Sequence, residues 1–382
     1  MKIQGWRNIW LTSRTDRRAL RLARAGAALL ALAGAAPAHA ARHAPPPAPP
    51  PALRYGLPAA CLTHVIAAPL LTNSGSPIIP ATFNDMAGLA YVSVTQDQVG
   101  VYAPNPTAFP VLSAISIQTI AGVDTTYTTV LHDLRISNGH ADDVPALLEG
   151  TRQPRLNDQP VLGVIGYDIL GNYDVLFDFP ARVMVLFVAS TAPGCPPLQD
   201  WLGPDSTALP LQPDRRGRMT GIRMQVGTQA TRMEIEPGAD MSSLARRDAR
   251  ALGLTATILH EDIHVRTNAG KILNGRMHHF DNIAIGAWHD LRLDVNVEKT
   301  SYNVLGMNFL QRRRVLMAFP QGMIYMTPQA DMPNDHGQAA HGMLTTRTAI
   351  ARLLDTPPAP GAPVQATPDS TPHPALQTDI KP

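Results

Sequence analysis

A pattern repeated in the middle and near the end of the chain limits the possible folds more than any other feature. Residues 164–187 read VIGYDILGNYDVLFDFPARVMVLF, and residues 304–326 read VLGMNFLQRRRVLMAFPQGMIYM. Each copy starts with two apolar residues and a glycine, passes through a leucine, and continues into a strand-like run that contains Phe-Pro. Agreement at this many positions indicates an internal duplication. The repeat therefore predicts two copies of one lobe within a single polypeptide.

Short apolar runs bounded by turn residues recur about every ten residues in both halves of the chain. Examples are residues 63–71 and 128–136 in the first half and residues 221–226 and 291–297 in the second. Strands at this spacing are typical of an all-β barrel or sandwich. Helical periodicity is rare and is clearest at residues 245–252, where Gly253 would end the helix. The sequence predicts a mainly β protein with a few short helices.

The first forty residues have the organisation of a cleavable export signal. Basic residues precede an apolar run at residues 25–36, and Ala38-His39-Ala40 has the small-x-small form of a cleavage site. We predict a signal peptide at residues 1–40, cleavage after Ala40, and a periplasmic or secreted protein. The sequence leaves open whether export uses the general or the twin-arginine route. No later segment has the roughly 20 apolar residues that a spanning helix requires, so no transmembrane segment is predicted.

Composition divides the rest of the chain into two lobes and three connecting or terminal segments. Residues 41–60 are rich in Pro and Ala and predict an extended tether, and the Pro-rich residues 329–382 predict a disordered tail. Residues 198–217 are rich in Pro, Gly and Asp and predict an interlobe linker. These boundaries place the first lobe at residues 61–197 and the second at residues 218–328.

The charge of the chain gives no support to a nucleic-acid-binding function. The formal net charge is +2, but the predicted signal peptide carries seven basic residues and one acidic residue, so the mature chain would have a charge of −4. Aromatic residues make up only 5% of the chain, and no basic stripe with interleaved aromatic residues is present. We therefore predict no nucleic-acid partner.

The two cysteines of the chain, Cys61 and Cys195, lie at the two ends of the predicted first lobe. In the oxidising compartment expected for an exported protein, a pair of cysteines is typically joined in a disulfide. We predict a disulfide between Cys61 and Cys195, with two separate buried thiols as the alternative.

Three motifs of the second half resemble the pattern of retropepsin-like aspartic proteases. They are IEPGAD at residues 235–240, ARALGL at residues 249–254, and VLGMNFL at residues 304–310, which VIGYDIL repeats at residues 164–170. In that family a strand ends in Asp-Thr-Gly-Ala, a short helix ends in Leu-Gly-Leu, and a late apolar-apolar-Gly follows a hairpin flap. The resemblance extends over residues 63–326. It implies two small β-barrel lobes in tandem, arranged as in pepsin, with a peptide substrate or ligand in the cleft between them. It also implies that the protein needs no metal or cofactor and is a monomer.

The resemblance also identifies the residues at the family's catalytic positions. In the family one Asp from each lobe meets at the interface, and the two carboxyl groups share a proton to act as base and acid. Our alignment puts Asn84 and Glu236 at these positions and Gly238 at the family's glycine. Asn84 has no titratable carboxyl group, so we predict a degenerate protease that binds an extended peptide or other ligand without efficient hydrolysis. A one-residue shift would instead give an active endopeptidase with an Asp85/Glu236 pair.

A His-Glu-x-x-His pattern, His260 to His264, precedes the flap that the resemblance implies in the second lobe. The turn of that flap is predicted at Asn268, Ala269 and Gly270. Two histidines on consecutive turns of a helix would bind one zinc ion. The β-branched residues around the motif favour a strand, on which the two histidines would lie about 13 Å apart. We therefore predict no metal site, with a zinc peptidase as the remote alternative.

Overall fold

The computed structural model describes residues 52–72, 75–105, 107–151, 153–269 and 271–331, together with two dipeptide strands near the C-terminus. The predicted signal peptide lies outside the described residues. So do Gly270 of the predicted flap turn and most of the predicted C-terminal tail.

Strands dominate the described residues, which confirms the predicted mainly β class. In chain order they are β1 Leu53–Arg54, β2 Leu57–Pro58, β3 Leu62–Pro69, β4 Ile78–Phe83, β5 Met86–Val92, β6 Val99–Tyr102, β7 Ala114–Thr119, β8 Gly122–Ile136, β9 Gly139–Gly150, β10 Arg155–Leu156, β11 Gln159–Ile165, β12 Asp174–Asp178, β13 Val183–Ala189, β14 Thr207–Pro210, β15 Gln212–Pro213, β16 Met219–Val226, β17 Gln229–Ile235, β18 Ser242–Ala245, β19 Ile263–Asn268, β20 Ile272–Ile285, β21 Trp288–Glu298, β22 Val304–Leu305, β23 Arg314–Ala318, β24 Met323–Met326, β25 Arg352–Leu353 and β26 Gln377–Thr378.

The helices of the described residues are short. The α-helices are α1 Tyr167–Leu170, α2 Arg246–Ala251, α3 Ala256–Glu261 and α4 Met307–Leu310, and single 3-10 turns cover Ala59–Cys61, Leu198–Asp200 and Phe319–Gln321. Gly253, with φ of 89°, follows α2 where the sequence predicts a helix end. Within the described ranges, no helix has the length and apolar character needed to cross a membrane.

Each half of the chain forms a closed ring of six paired strands. The first barrel runs β4-β5-β11-β6-β9-β8 and closes where β8 pairs with β4. The second barrel runs β16-β17-β22-β18-β21-β20 and closes where β20 pairs with β16. The two rings have the same strand order and the same two parallel pairs. This agreement confirms the β-barrel architecture that the sequence predicts for both lobes.

A six-stranded sheet, which we call the shared sheet, joins the two barrels. Its order is β14-β24-β23-β12-β13-β3, so each half contributes three strands. At its centre β12 and β23 are antiparallel, with Leu176 opposite Leu316. Each of these strands directly precedes the Phe-Pro of its repeat, and the three middle residues of each are apolar because both faces of the sheet are buried.

The two faces of the shared sheet pack against different apolar clusters. Val175 and Phe177 contribute to the main core, which also includes the barrel interiors. Leu176, on the opposite face, packs in a second cluster with Leu57 and Trp201. The cysteines join this second cluster, and their disulfide confirms the predicted pairing of Cys61 with Cys195.

Two segments that the sequence predicts as irregular contribute to this packing. Residues 53–60, assigned to the tether, form the β1–β2 hairpin and begin a 3-10 turn because the fully buried Leu57 anchors them to the second cluster. Within the predicted linker, β14 pairs with β24 at the edge of the shared sheet. Pro210 ends this edge strand, a position where the missing N–H is tolerated.

Candidate functional site

The two barrels place equivalent residues at the ends of β5 and β17. In the first barrel Val92 pairs with Ile165, and in the second Ile235 pairs with Leu305. The next backbone N–H in each half donates to the carbonyl of that partner, from Ser93 to Ile165 at 3.1 Å and from Glu236 to Leu305 at 3.0 Å. Ser93 is therefore the counterpart of Glu236.

The turns that follow these two residues also match. Tyr167 N donates to Gln96 O at 2.7 Å, and Met307 N donates to Ala239 O at 2.7 Å. We call residues 93–97 the first turn and residues 236–240 the second turn. Both turns rest on the N-terminal end of a short helix, so the same backbone frame carries different side chains.

The structure corrects the predicted first-lobe site. Asn84 and Asp85 have φ of 46° and 64° and form the two-residue turn of the β4–β5 hairpin, where Phe83 pairs with Met86. Asn84 Oδ1 accepts from the backbone N–H groups of His132 at 2.8 Å and of Asp133 at 3.1 Å. This turn and Ser93 lie at opposite ends of the seven-residue strand β5, about 26 Å apart.

The predicted Asp85/Glu236 pair is therefore not brought together. Asn-Asp after an apolar strand is also a signal for a hairpin turn, because both residues tolerate positive φ. The position of Asn84 and Asp85 after β4 therefore imitated the motif. A usable signal was the aspartate at the end of each turn, Asp97 and Asp240, which aligns Ser93 with Glu236.

Glu236 is fully buried at the junction of the two halves. Its Oε2 accepts from Ser93 Oγ at 2.8 Å, from Thr95 Oγ1 at 2.6 Å and from Thr95 N at 2.9 Å. Its Oε1 accepts from the N–H of Gly238, the glycine predicted for this site. A carboxylate of the second barrel is thus held mainly by donors of the first.

The chemistry of this arrangement differs from that of a carboxyl pair. Two adjacent carboxyl groups share one proton, which supplies a base and an acid at the same site. The Ser93 hydroxyl donates to Glu236 but does not ionise in this way. The described contacts make Glu236 a hydrogen-bonded bridge between the barrels.

The aspartates that end the two turns make further contacts across the junction. Asp97, in the first turn, pairs with Arg218 and lies 3.4 Å from Arg216 Nη1, both of the second half. Asp240, in the second turn, accepts from Ser76 N of the first half at 2.8 Å. Each half therefore holds the other's turn, by ion pairs on one side and by a neutral donor on the other.

A cavity of about 620 Å³ lies beside the junction, and we call it the arginine cavity. It is formed mainly by the second half, from the β15–β16 turn, β17, α2 and residues 301–303, and Gln118 of β7 completes it from the first half. Glu234 of its wall lies two residues before Glu236, on the same side of β17. The cavity thus adjoins the buried carboxylate.

A hairpin from each half contacts the other half. In the first half, β7–β8 contacts the second half through Ser301: Ile120 O accepts from Ser301 N at 2.9 Å, and Gln118 Nε2 donates to Ser301 Oγ at 2.8 Å. The second hairpin, β19–β20, holds the predicted flap residues Asn268, paired with Ile272, and Ala269, which is buried. Its Lys271 lies 3.4 Å from Asp124 of β8. The sequence prediction found the second hairpin and missed the first.

Asp168 is a buried carboxyl group beneath the first turn. Its two oxygens accept from Val99 N and Ile169 N, each at 3.0 Å, and burial raises its pKa to about 7. Its counterpart under the second turn is Asn308, whose Oδ1 accepts from Ser242 N at 2.8 Å. The same bracing role is therefore performed by an acid in one half and by an amide in the other.

Each barrel also has a buried glutamate, Glu149 on β9 and Glu298 on β21. Glu149 accepts from Gln96 Nε2 at 2.7 Å, and burial raises its pKa to about 7. Glu298 accepts from Thr267, and burial raises its pKa to about 6. Desolvation favours the neutral form of both groups.

The His-Glu-x-x-His segment does not have the geometry of a zinc site. His260 lies near the end of α3, whereas His264 lies on β19, so the two side chains do not share one helix face. The predicted strand begins only at Ile263, because Thr255 Oγ1 caps α3 by accepting from Ile258 N at 3.3 Å. Within the described ranges, no three His, Cys, Asp or Glu side chains are grouped to hold a metal ion.

Comparison with known proteins relates the second half of the chain to a protease family. Residues 222–312, which include Glu236, match the family described as gag-polyprotein putative aspartyl protease. Among solved structures, the crystal structure of aspartic proteinase from Irpex lacteus is similar at 10% sequence identity and a TM-score of 0.44, covering 72% of this chain and 100% of that chain. The search of curated proteins returned no match.

Proposed function

We propose that this chain is a degenerate aspartic protease-like protein that binds an extended peptide, or another extended ligand, without efficient hydrolysis; its residues 222–312 match an aspartyl protease family. One observation carries the proposal: the counterpart of Glu236 in the first turn is Ser93, whose hydroxyl donates to Glu236 at 2.8 Å across the junction of the barrels.

The chemistry of hydrolysis supports this proposal. A water-activating pair needs one ionised and one protonated carboxyl group within hydrogen-bond reach of the reacting atoms. Glu236 is fully buried and its oxygens accept hydrogen bonds from protein donors. The acidic alternative, Asp85, is exposed in the β4–β5 turn at the far end of β5.

Ligand binding in the cleft is supported by the two hairpins and by the arginine cavity. Main-chain groups along a hairpin bind an extended peptide through strand-like hydrogen bonds, and pockets next to them select side chains. The arginine cavity has walls from both halves of the chain. A peptide lying between the barrels would therefore pass beside it.

The test is an assay of the purified chain with unfolded casein at pH 4 and pH 7, each with and without pepstatin or a metal chelator. We expect no cleavage in any condition, together with saturable binding of a fluorescent casein peptide. Glu236→Gln and Asp85→Asn serve as matched variants, since both remove a charge and keep the shape. Pepstatin-sensitive cleavage that Glu236→Gln abolishes would overturn the proposal, and chelator-sensitive cleavage would favour zinc chemistry at His260 and His264.

The proposal includes export. The predicted signal peptide motivates it, and the Cys61–Cys195 disulfide supports it because such bonds persist in oxidising compartments. Fractionation of expressing cells should recover a chain that begins at Ala41 outside the cytoplasm. Recovery of an intact, reduced chain in the cytoplasm alone would contradict export.

A further inference from the structure

We propose that the arginine cavity binds the side-chain carboxylate of an acidic residue in the bound peptide. This inference rests on the proposed peptide-binding function and names the ligand class of the same cleft. Three features carry it: the excess of arginine over acid in the cavity wall, the two arginines that the protein leaves available, and the position of the cavity beside β17.

The wall of the cavity has more cations than anions. Its charged residues are Arg215, Arg216, Arg218, Arg232, Arg247, Asp214, Glu234 and Asp248. The other wall residues are mostly polar, including Thr231, Ser301 and Asn303. Such a wall suits an anionic group better than an apolar side chain, because the arginines stay hydrogen-bonded when an anion replaces water.

The acids of the wall are already paired with arginines. Arg218 pairs with Asp214, and Arg232 pairs with Glu234. Asp248 lies 3.4 Å from Arg247. Asp97 of the first turn pairs with Arg218 and Arg216 as well, so four acids face the five arginines and one positive charge remains for a ligand.

Arg215 and Arg216 are the two available arginines. In the described part of the chain, no hydrogen bond or ion pair is made by the side chain of Arg215, and Arg216 pairs with Asp97 through Nη1 alone, at 3.4 Å, so its other N–H donors can bind a ligand. Both residues are exposed to solvent and also contribute to the cavity wall. Their guanidinium groups can therefore reorient toward a carboxylate and bind it through two parallel N–H donors.

The turn that carries these arginines is held in place by its own hydrogen bonds. Asp214 Oδ1 accepts from Arg216 N at 2.8 Å and from Arg218 N at 2.9 Å, and Gly217 supplies the positive φ that the turn needs, 81°. Arg218 then fixes the turn to Asp97 of the first half. The backbone of the turn is thus fixed before a ligand arrives, and only the side chains of Arg215 and Arg216 need to reorient. This reduces the entropy lost on binding.

The position of the cavity explains why a peptide side chain would enter it. Arg232 and Glu234 lie on one side of β17, and Glu236 follows the last residue of this strand, at the junction of the barrels. Gln118 closes the cavity from the β7–β8 hairpin. A chain lying in the cleft beside Glu236 would point one side chain between this hairpin and the Arg215–Arg216 turn.

The experiment measures binding of end-blocked fluorescent peptides to the full chain by anisotropy. The peptides share one sequence and differ at a single position, which is Glu, Gln or Lys, and a fourth has Gln and a free C-terminal carboxylate. We expect the Glu peptide to bind roughly tenfold more tightly than the Gln peptide, as a charge-assisted hydrogen bond predicts. This preference should shrink as salt is raised.

Variants of the purified chain connect this preference to the cavity. The Arg215→Glu/Arg216→Glu double variant should lose the preference for Glu and retain binding of the Gln peptide. The control is Arg292→Glu, which reverses the charge of an 80% exposed side chain on β21. It should change neither the preference for Glu nor the binding of the Gln peptide. Equal binding of Glu and Gln peptides, or preference only for the free C-terminus, would overturn the inference and leave peptide binding intact. Failure of all four peptides to bind would overturn the proposed function, and this inference with it.

Discussion

The first and second turns have the same backbone hydrogen bonds, yet they place different chemistry at the junction of the barrels. Ser93 and Glu236 each donate N–H to the last residue of a parallel strand, and each turn rests on a short helix. In the second turn this frame carries a carboxylate, and in the first it carries hydroxyl and N–H donors that hold the carboxylate. The frame depends on main-chain pairing, so side chains on it can be exchanged while the fold is retained.

The largest expected effect is on stability and comes from removing the second turn's carboxylate. Glu236→Leu would leave the buried donors of Ser93, Thr95 and Gly238 without their acceptor, and we expect a loss of about 4 kcal/mol in the free energy of unfolding. Urea denaturation followed by tryptophan fluorescence measures it.

The matched change in the first turn should have a smaller effect. Ser93→Ala removes one of the donors to Glu236 and leaves the two Thr95 bonds, so a loss of about 1 kcal/mol is expected. Equal losses in both variants would show that the two turns contribute alike and that the carboxylate is not the centre of this network.

A second difference between the halves concerns pH. Asp168 braces the first turn as an acid with its pKa raised to about 7, whereas Asn308 braces the second as an amide. Because the folded-state pKa is above the usual value for Asp, the folded protein binds this proton more tightly than the unfolded chain. The free energy of unfolding should therefore fall as pH rises from about 4 to 7 and then level off.

Asp168→Asn makes the first half resemble the second and tests this sign directly. The asparagine side chain has one acceptor oxygen in place of two, so at pH 5, where Asp168 is protonated when folded, the variant should be less stable than the parent chain by about 1 kcal/mol. The difference should reverse by pH 8, where only the parent chain buries an ionised carboxylate. Thermal unfolding across this range checks it, and a parallel shift at all pH values would contradict the assignment to Asp168.

The sequence predicted the elements that depend on long apolar patterns and missed those that depend on a few polar residues. The two repeats that contain Phe-Pro predicted the two central strands of the shared sheet. Their middle residues are apolar because both faces of these strands are buried. The second turn was predicted because Glu236, Gly238 and Ala239 have the spacing of the retropepsin-like motif. The first turn retains the backbone frame without those side chains, so no motif marked it.

Local competition explains the other differences from the sequence prediction. Asn84-Asp85 satisfies the rules for a hairpin turn as well as it imitates a degenerate motif, and only strand pairing distinguishes the two. Around His260, the Thr255 cap outweighs the β-branched residues that favoured a strand. In each case the deciding interaction involves one side chain and the backbone, which composition does not show.

The smallest effect distinguishes the two hairpins. The β7–β8 hairpin contacts the second half through Gln118, Ile120 and Ser301, whereas β19–β20 contacts the first through an ion pair whose members are 56% and 52% exposed. Gln118→Ala should raise the exchange rate of the Ser301 amide hydrogen roughly fivefold, since one partly buried hydrogen bond is worth about 1 kcal/mol. Lys271→Ala should change it less than about twofold, because exposed ion pairs contribute little. A larger effect from Lys271→Ala would mean that the second hairpin, and not the first, governs opening of the cleft.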